Sequence, residues 1–293
     1  MTRQVRVPCT VNGIVNRLTQ FHTRLRKVRY VAVELLLSRL LTKRKMRIFF
    51  SDEEGAKHLI EKGFRHTRHE VAFGEFTPES VARYDLLVPL TIRDLDRLNA
   101  MRPLIEKNPL PIPSAECVRL CDDKTLLNRF LIEKGFGEFI PRTEGDFEYP
   151  YLLKKRIDEG GRDTTFVTSR EQESELLSAL AMEDYFRQEI VPGKFEYASH
   201  VLLWEGRIRR SLSFRYELKE ELSVKRKVFP IEQKMIPCPF PDLFASILGA
   251  VGFEGLCCID YRIWDGRPLI MEINPRFGGS LRLYFFSYIR SLR

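Results

Sequence analysis

Apolar positions in this chain follow two rhythms. In residues 12–45, Ile14, Leu18, Phe21, Leu25 and Val28 recur at three- and four-residue spacing, which predicts one or two amphipathic helices. From Met46 onward, short apolar runs alternate with helical spacing. Residues 47–50 read as a first strand. Ser51 and Glu54 form a capping-box pattern that opens a helix over 56–62, ended by Gly63. Residues 68–73 form a weaker strand, 78–84 a short helix, 85–90 a buried strand and 91–101 a helix. Strands alternating with helices predict a parallel sheet with crossovers.

The pattern changes at Asn108-Pro-Leu-Pro-Ile-Pro113, where three prolines forbid a regular helix and mark a linker. Helices are expected over 114–121 and 123–135, strands over 151–154 and 164–167, and a helix capped by Ser169 near 171–182. Beyond residue 190 strands dominate, with one helix over 241–251 closed by Gly252. Asp265-Gly266 separates two apolar runs and predicts a tight hairpin. The chain divides into a basic extension (1–45), an α/β unit (46–112) and two α+β units (113–190 and 191–293).

The hairpin carries the chemistry. Glu272 and Asn274 lie two residues apart in Leu269-Ile-Met-Glu-Ile-Asn-Pro-Arg-Phe-Gly-Gly-Ser280, so on a strand they share a face. Asp260 ends the partner run, and the hairpin brings it beside Glu272. Two carboxylates and an amide oxygen suit a hard cation such as Mg²⁺. Arg276 adds a guanidinium that can clamp an oxyanion. Upstream, Lys124 opens a helix just after the linker and is either a solvated lysine or a point charge for a phosphate. Lys154 ends an apolar strand, where it either snorkels to the edge or meets a phosphate. Gly160-Gly161 either lets backbone N–H groups approach an anion or forms a plain hairpin loop.

Glu272-Ile-Asn-Pro-Arg-Phe-Gly-Gly-Ser280 resembles the signature of ATP-grasp enzymes. It is most similar to the branch that holds the carbamoyl-phosphate synthetase large chain and short carboxylate–amine ligases. The resemblance runs over residues 113–283. It implies two α+β subdomains clasping ATP, preceded at 46–112 by a shortened Rossmann-like domain. It implies that Asp260, Glu272 and Asn274 hold Mg²⁺, with Mn²⁺ as a substitute. Lys124 and Lys154 then meet the phosphates, and Gly160-Gly161, assisted by Arg162, cover them. Residues 186–193 are similar to the family's adenine-holding linker, which assigns Glu189, Ile190 and Val191 to the base and Glu196 to the ribose. One of Arg215, Lys225 or Lys227 is the expected further phosphate contact.

The reaction that the resemblance implies is attack of a substrate carboxylate on the γ-phosphate of ATP. An amine or thiol then displaces phosphate from the acyl phosphate, which Arg276 steadies. The chain departs from the family pattern at Lys155, where proline is usual, and at Cys258, where many relatives carry a polar residue. Two other classes remain open. One is a kinase-like ATP-grasp phosphotransferase. The other is an ATP-binding regulatory or scaffold protein that meets a membrane or partner through its basic N-terminal segment.

Charge and cysteine content narrow the picture. The formal charge is +8, but residues 1–45 hold 11 Lys and Arg against one acid, Glu34. The remainder holds 37 basic and 39 acidic residues, so a nucleic-acid-binding body is not expected. Residues 1–45 are either a helical extension packed on the body with solvated arginines, or a segment for weak membrane-surface or protein contact. Met46 is an alternative natural start, and a homo-oligomer remains open. Six cysteines form no C-x-x-C pair, as expected of a reduced, cytoplasmic protein. No apolar run approaches the roughly 20 residues that span a bilayer. The five histidines lie outside the motifs, so a covalent nucleophile is not indicated. Small carboxylates and amines are the expected partners.

Overall fold

The structure is a computed structural model that describes residues 25–40, 44–158, 163–179, 182–223 and 228–292. Residues 25–40 form a helix, α1. Of the expected basic helices over 12–45, residues 12–24 and 41–43 lie outside the described residues. The first sheet contains β1 (Arg47–Ser51), β2 (Glu70–Gly74) and β3 (Leu86–Val88), all parallel and in the order β2-β1-β3. Between them run α2 (Lys57–Phe64) and α3 (Pro78–Arg83), and α4 (Ile92–Ala100) follows. Thr77 and Thr91 cap α3 and α4 through capping boxes. The parallel sheet expected from the alternation is therefore present.

Two local expectations fail in this unit. Ser51 does not cap a helix. It ends β1, and its hydroxyl accepts the Leu90 N–H at 3.0 Å. A backbone donor just beyond β3 thereby finds a buried acceptor. The helix starts at Lys57 with no side-chain cap. Gly63 does not end α2 but lies inside it, because a Cβ there would collide with the Leu283 carbonyl oxygen. Glycine is required here by close packing of two segments, not by a turn.

After the linker come α5 (Ala115–Asp122), capped by Ser114, and α6 (Lys124–Leu131), capped by Asp123. A small antiparallel sheet follows in the order β5-β4-β6, from β4 (Tyr151–Lys155), β5 (Thr164–Val167) and β6 (Tyr185–Gln188). The helix α7 (Arg170–Ala179) runs up to positions 180 and 181, which lie outside the described residues, and Ser169 accepts from the Gln172 N–H at its start.

The third sheet has five strands in the order β11-β10-β7-β8-β9. They are β7 (Phe195–Trp204), β8 (Arg207–Glu217), β9 (Glu232–Ile236), β10 (Gly255–Trp264) and β11 (Arg267–Asn274). All its pairings are antiparallel. The helix α8 (Pro241–Val251) ends at Gly252, whose φ of +69° is the left-handed cap that glycine favours. Residues of one parity on the central strands, Val201, Leu203, Cys257, Ile259 and Tyr261, pack with Phe244, Ile247 and Leu248 of α8.

The opposite face of this sheet has two uses. Leu202, Leu212, Phe214 and Leu256 pack with Ile48, Phe50 and Leu86 of the first sheet. Further along the same face, Glu196, Ala198, Cys258, Asp260 and Arg262 line a cleft. Period-two alternation explains this division, since residues 196, 198 and 202 of β7 share a face, as do 256, 258, 260 and 262 of β10.

Helix α1 packs on the body through Tyr30, Val31 and Leu35. Its Glu34 is buried in ion pairs with Arg210 and Arg290. Among the described residues, no helix is long and apolar enough to cross a membrane.

Gly63→Ala tests the close approach at α2. On an open helix this change stabilises by about 1 kcal/mol. Here overpacking is expected to make it destabilising by about 1–3 kcal/mol, read as a lower urea midpoint. An equal or higher midpoint would mean that the Leu283 segment gives way without cost.

Candidate functional site

The hairpin of β10 and β11 places the acids. Asp260 pairs with Glu272 and Cys258 with Asn274. Asp265 and Gly266 close the turn at φ +49° and +73°, which matches the doubly left-handed geometry of a tight hairpin. Just beyond Asp260 the register slips, so that Tyr261 pairs with Ile270 and Met271 is the extra residue of a bulge. Bulges re-aim side chains beside functional sites. Here Tyr261, Ile270 and Ile273 enter the core, whereas Asp260, Met271, Glu272 and Asn274 line the cleft.

Two lysines from other elements converge on Glu272. Lys154, on β4, donates to the Gln188 Oε1 at 3.1 Å and lies 3.5 Å from the Met271 carbonyl oxygen. Lys124 is the first residue of α6. Its position is set by Asp123, which accepts from the Thr125 and Leu126 N–H groups and is held by Arg156 at 2.6 Å. The Lys124 Nζ donates to the Asp158 carbonyl at 2.8 Å and stands 3.7 Å from a Glu272 oxygen. Both lysines are buried.

Burial and charge oppose one another at this point. Burial pushes the Glu272 carboxyl up, but the Lys124 and Lys154 ammoniums and a hydrogen bond from the Asn274 amide outweigh it and hold the group at about 2. Burial lowers Lys154 to about 8 even though Glu272 pulls it upward. Between pH 4.5 and 8 the site therefore holds charged carboxylate and charged ammonium side by side.

The donor set fits a hard cation in one specific way. Asn274 Nδ2 donates to Asp260 Oδ2 at 3.2 Å and to Glu272 Oε1 at 3.1 Å, so three oxygen-bearing side chains share one focus. A half-turn of the amide replaces its nitrogen by Oδ1 there. Among the described residues no three His, Cys, Asp or Glu side chains cluster. A cation at this focus would take two carboxylates and an amide from the chain and its other oxygens from water or phosphate, as Mg²⁺ does.

Other candidates divide clearly. Ile190, Val191, Glu196 and Arg276 line the same cleft as the acids. Glu189 does not. Its carboxylate accepts the Arg142 N–H at 2.7 Å, and its own N–H donates to the Arg142 carbonyl at 2.9 Å. The extended backbone turns Gln188 and Ile190 inward and Glu189 outward. Lys155, next to Lys154, likewise faces away and lies 4.0 Å from Asp163. Arg215 stacks over the Phe195 ring rather than entering the cleft. Gly160, Gly161, Arg162, Lys225 and Lys227 lie outside the described residues.

Two cleft residues were not singled out by the sequence. Gln188 is almost fully buried, accepts from Lys154, and has no partner for its Nε2 among the described residues. A buried amide donor lining a cleft is available to an acceptor that enters it. Arg262 lies two residues beyond Asp260 on β10. Its guanidinium binds the Val191, Gly193, Glu221 and Ser223 carbonyls and stands 3.6 Å from Glu196. It fastens the connection after β6 to the large sheet. The alternation that links Glu272 to Asn274 would have found it.

Comparison with protein-family models and with curated proteins finds no match. Solved structures do resemble the chain. A D-alanine–D-alanine ligase from Bacillus anthracis aligns over 84% of this chain and 97% of its own, with 13% identity and a TM-score of 0.54. An L-amino acid ligase from Bacillus licheniformis aligns over 84% and 71%, at 15% identity and 0.54. A phosphoribosylamine–glycine ligase from Thermotoga maritima aligns over 83% and 72%, at 17% identity and 0.57. At these identities the likeness is one of fold, and the fold is ATP-grasp.

The Glu272 carboxyl supplies a pH test. Its folded value lies below 4.5, so the stability that it carries is complete above 4.5 and is lost as pH falls toward about 2. Glu272→Gln is expected to be less stable than wild type at neutral pH. The gap in urea midpoint should narrow as pH falls from 4.5 toward 2. A gap constant across that window would show that Glu272 is not charged against the lysines.

Proposed function

We propose, from the premise that this chain has the ATP-grasp fold, that it is an ATP-dependent ligase joining a carboxylate to an amine or thiol. The observation that carries this reading is the shared focus of Asp260, Glu272 and Asn274 in one cleft, which Lys154 also lines, with the buried Lys124 ammonium 3.7 Å from Glu272. Mg²⁺ held there would offset charge on the β- and γ-phosphates, a role that Mn²⁺ also fills. Lys154 and Lys124 add fixed positive charge around the same phosphates. Gln188, with Ile190 and Val191, is suited to the adenine, and Glu196 to ribose hydroxyls. Arg262 holds that connection in place.

A substrate carboxylate oxygen then attacks the γ-phosphorus, and the bond to the β-phosphate oxygen breaks to release ADP. Arg276 at the rim faces the resulting acyl phosphate. An amine or thiol attacks the acyl carbon, loses its proton, and phosphate leaves. The chain positions reactants and neutralises charge without supplying a nucleophile. The ligase names of the structures similar in fold support this class. The unit boundaries at 46–112, 113–190 and 191–293 belong to the same proposal, supported by the separate sheets β1–β3, β4–β6 and β7–β11.

An ADP-release screen across amino acids and small carboxylates tests it. Turnover is expected only when an acid and an amine or thiol are both present, and Glu272→Ala should lower it by about 10²-fold or more. ATP bound without turnover across the panel would favour a regulatory protein. A phosphorylated product without condensation would favour a phosphotransferase.

A further inference from the structure

One face of α1 is left open although the opposite face is firmly docked. Inward, Tyr30, Val31 and Leu35 join the core, and Glu34 is held by Arg210 and Arg290. Outward, Leu25, Val28, Val33, Leu36 and Leu40 are 46% to 69% exposed. At helical periodicity these side chains fall in one stripe roughly 140° wide. Arg26 and Arg29 lie within or beside it, exposed, and neither has an ion-pair partner among the described residues.

The charge balance decides what can cover this face. Residues 1–45 carry 11 basic side chains and one acid. That acid, Glu34, is on the docked side. The open face is therefore apolar and cationic, with no acidic group. A second copy of the chain, meeting it across a two-fold axis, would bring no acid to Arg26 and Arg29, because the matching face of the copy carries none. An anionic lipid surface complements both features. Its acyl boundary takes the apolar stripe, and its phosphate groups take the guanidiniums.

We propose that the outward face of α1 lies in the plane of an anionic membrane surface and attaches this protein to it. The helix does not cross the bilayer. Sixteen residues, 25–40, rise only about 24 Å and bear charge along their length. Glu34 and Tyr30 form the rigid joint to the body, so attachment leaves the cleft residues unaltered.

Flotation of the full chain with vesicles tests this. One set contains phosphatidylcholine alone, the other phosphatidylcholine with phosphatidylserine. The chain is expected to float with the anionic set at low salt and not with the neutral set. Val28→Glu with Leu36→Glu, and separately Arg26→Glu with Arg29→Glu, should each weaken partitioning by about tenfold or more. Both variants alter exposed side chains, so their circular dichroism and ATP affinity should match wild type. No flotation with anionic vesicles would overturn the proposal. Undiminished flotation of the Val28→Glu/Leu36→Glu variant would also overturn it, by placing attachment elsewhere. So would a dimer in light scattering that this variant dissociates, because a second copy would then cover the face.

Discussion

A half-buried carboxylate held between two buried ammonium groups ties three distant parts of this chain together. Glu272 comes from the last strand, Lys154 from the small sheet and Lys124 from the start of α6. Any one of these charges buried alone would cost several kcal/mol. Each lysine is also anchored to a carbonyl, Lys124 to Asp158 and Lys154 to Met271. The small sheet and the large sheet must therefore meet at this point for the charges to be tolerated. The same arrangement sets the chemistry of the cleft. An anionic ligand entering beside Asp260 and Glu272 would require added positive charge, which a divalent cation at their shared focus would supply along with the lysines.

The large sheet brings the cleft and the scaffold together on one surface. Leucines at 202, 212 and 256 bind the first sheet, and polar groups further along the same strands form the cleft floor. The loop after β11 lies directly on that surface. A Cβ on Gly278 would stand 2.9 Å from the Cys258 sulfur and would overlap the His200 ring. Cys258 therefore packs under the glycine loop while also lining the cleft.

What was legible in the sequence depended on local rules. The Asp265-Gly266 turn and the period of two along β11 were enough to bring Asp260, Glu272 and Asn274 together. Gly252 and Ser169 acted as expected because helix ends are local. Ser51 and Gly63 did not, because Leu90 and Leu283, remote in sequence, decide their environment. Arg262 was within reach of the alternation rule, but its role rests on carbonyls at Val191, Gly193, Glu221 and Ser223 that only the fold assembles. Gln188 acquires meaning only beside Lys154. The spacing of α1 showed an amphipathic helix, yet the docked side could be identified only once Arg210 and Arg290 were seen around Glu34.

The central claim is that Asp260, Glu272 and Asn274 jointly grip the cation of a bound nucleotide. Crystals of the full chain grown with ADP and Mn²⁺ allow the metal to be located by anomalous scattering. The account predicts a manganese peak enclosed by those three side chains and touching the β-phosphate, with the Asn274 amide turned to present its oxygen. Nucleotide bound with its manganese away from these residues, or seated outside the cleft between β4 and β11, would contradict it.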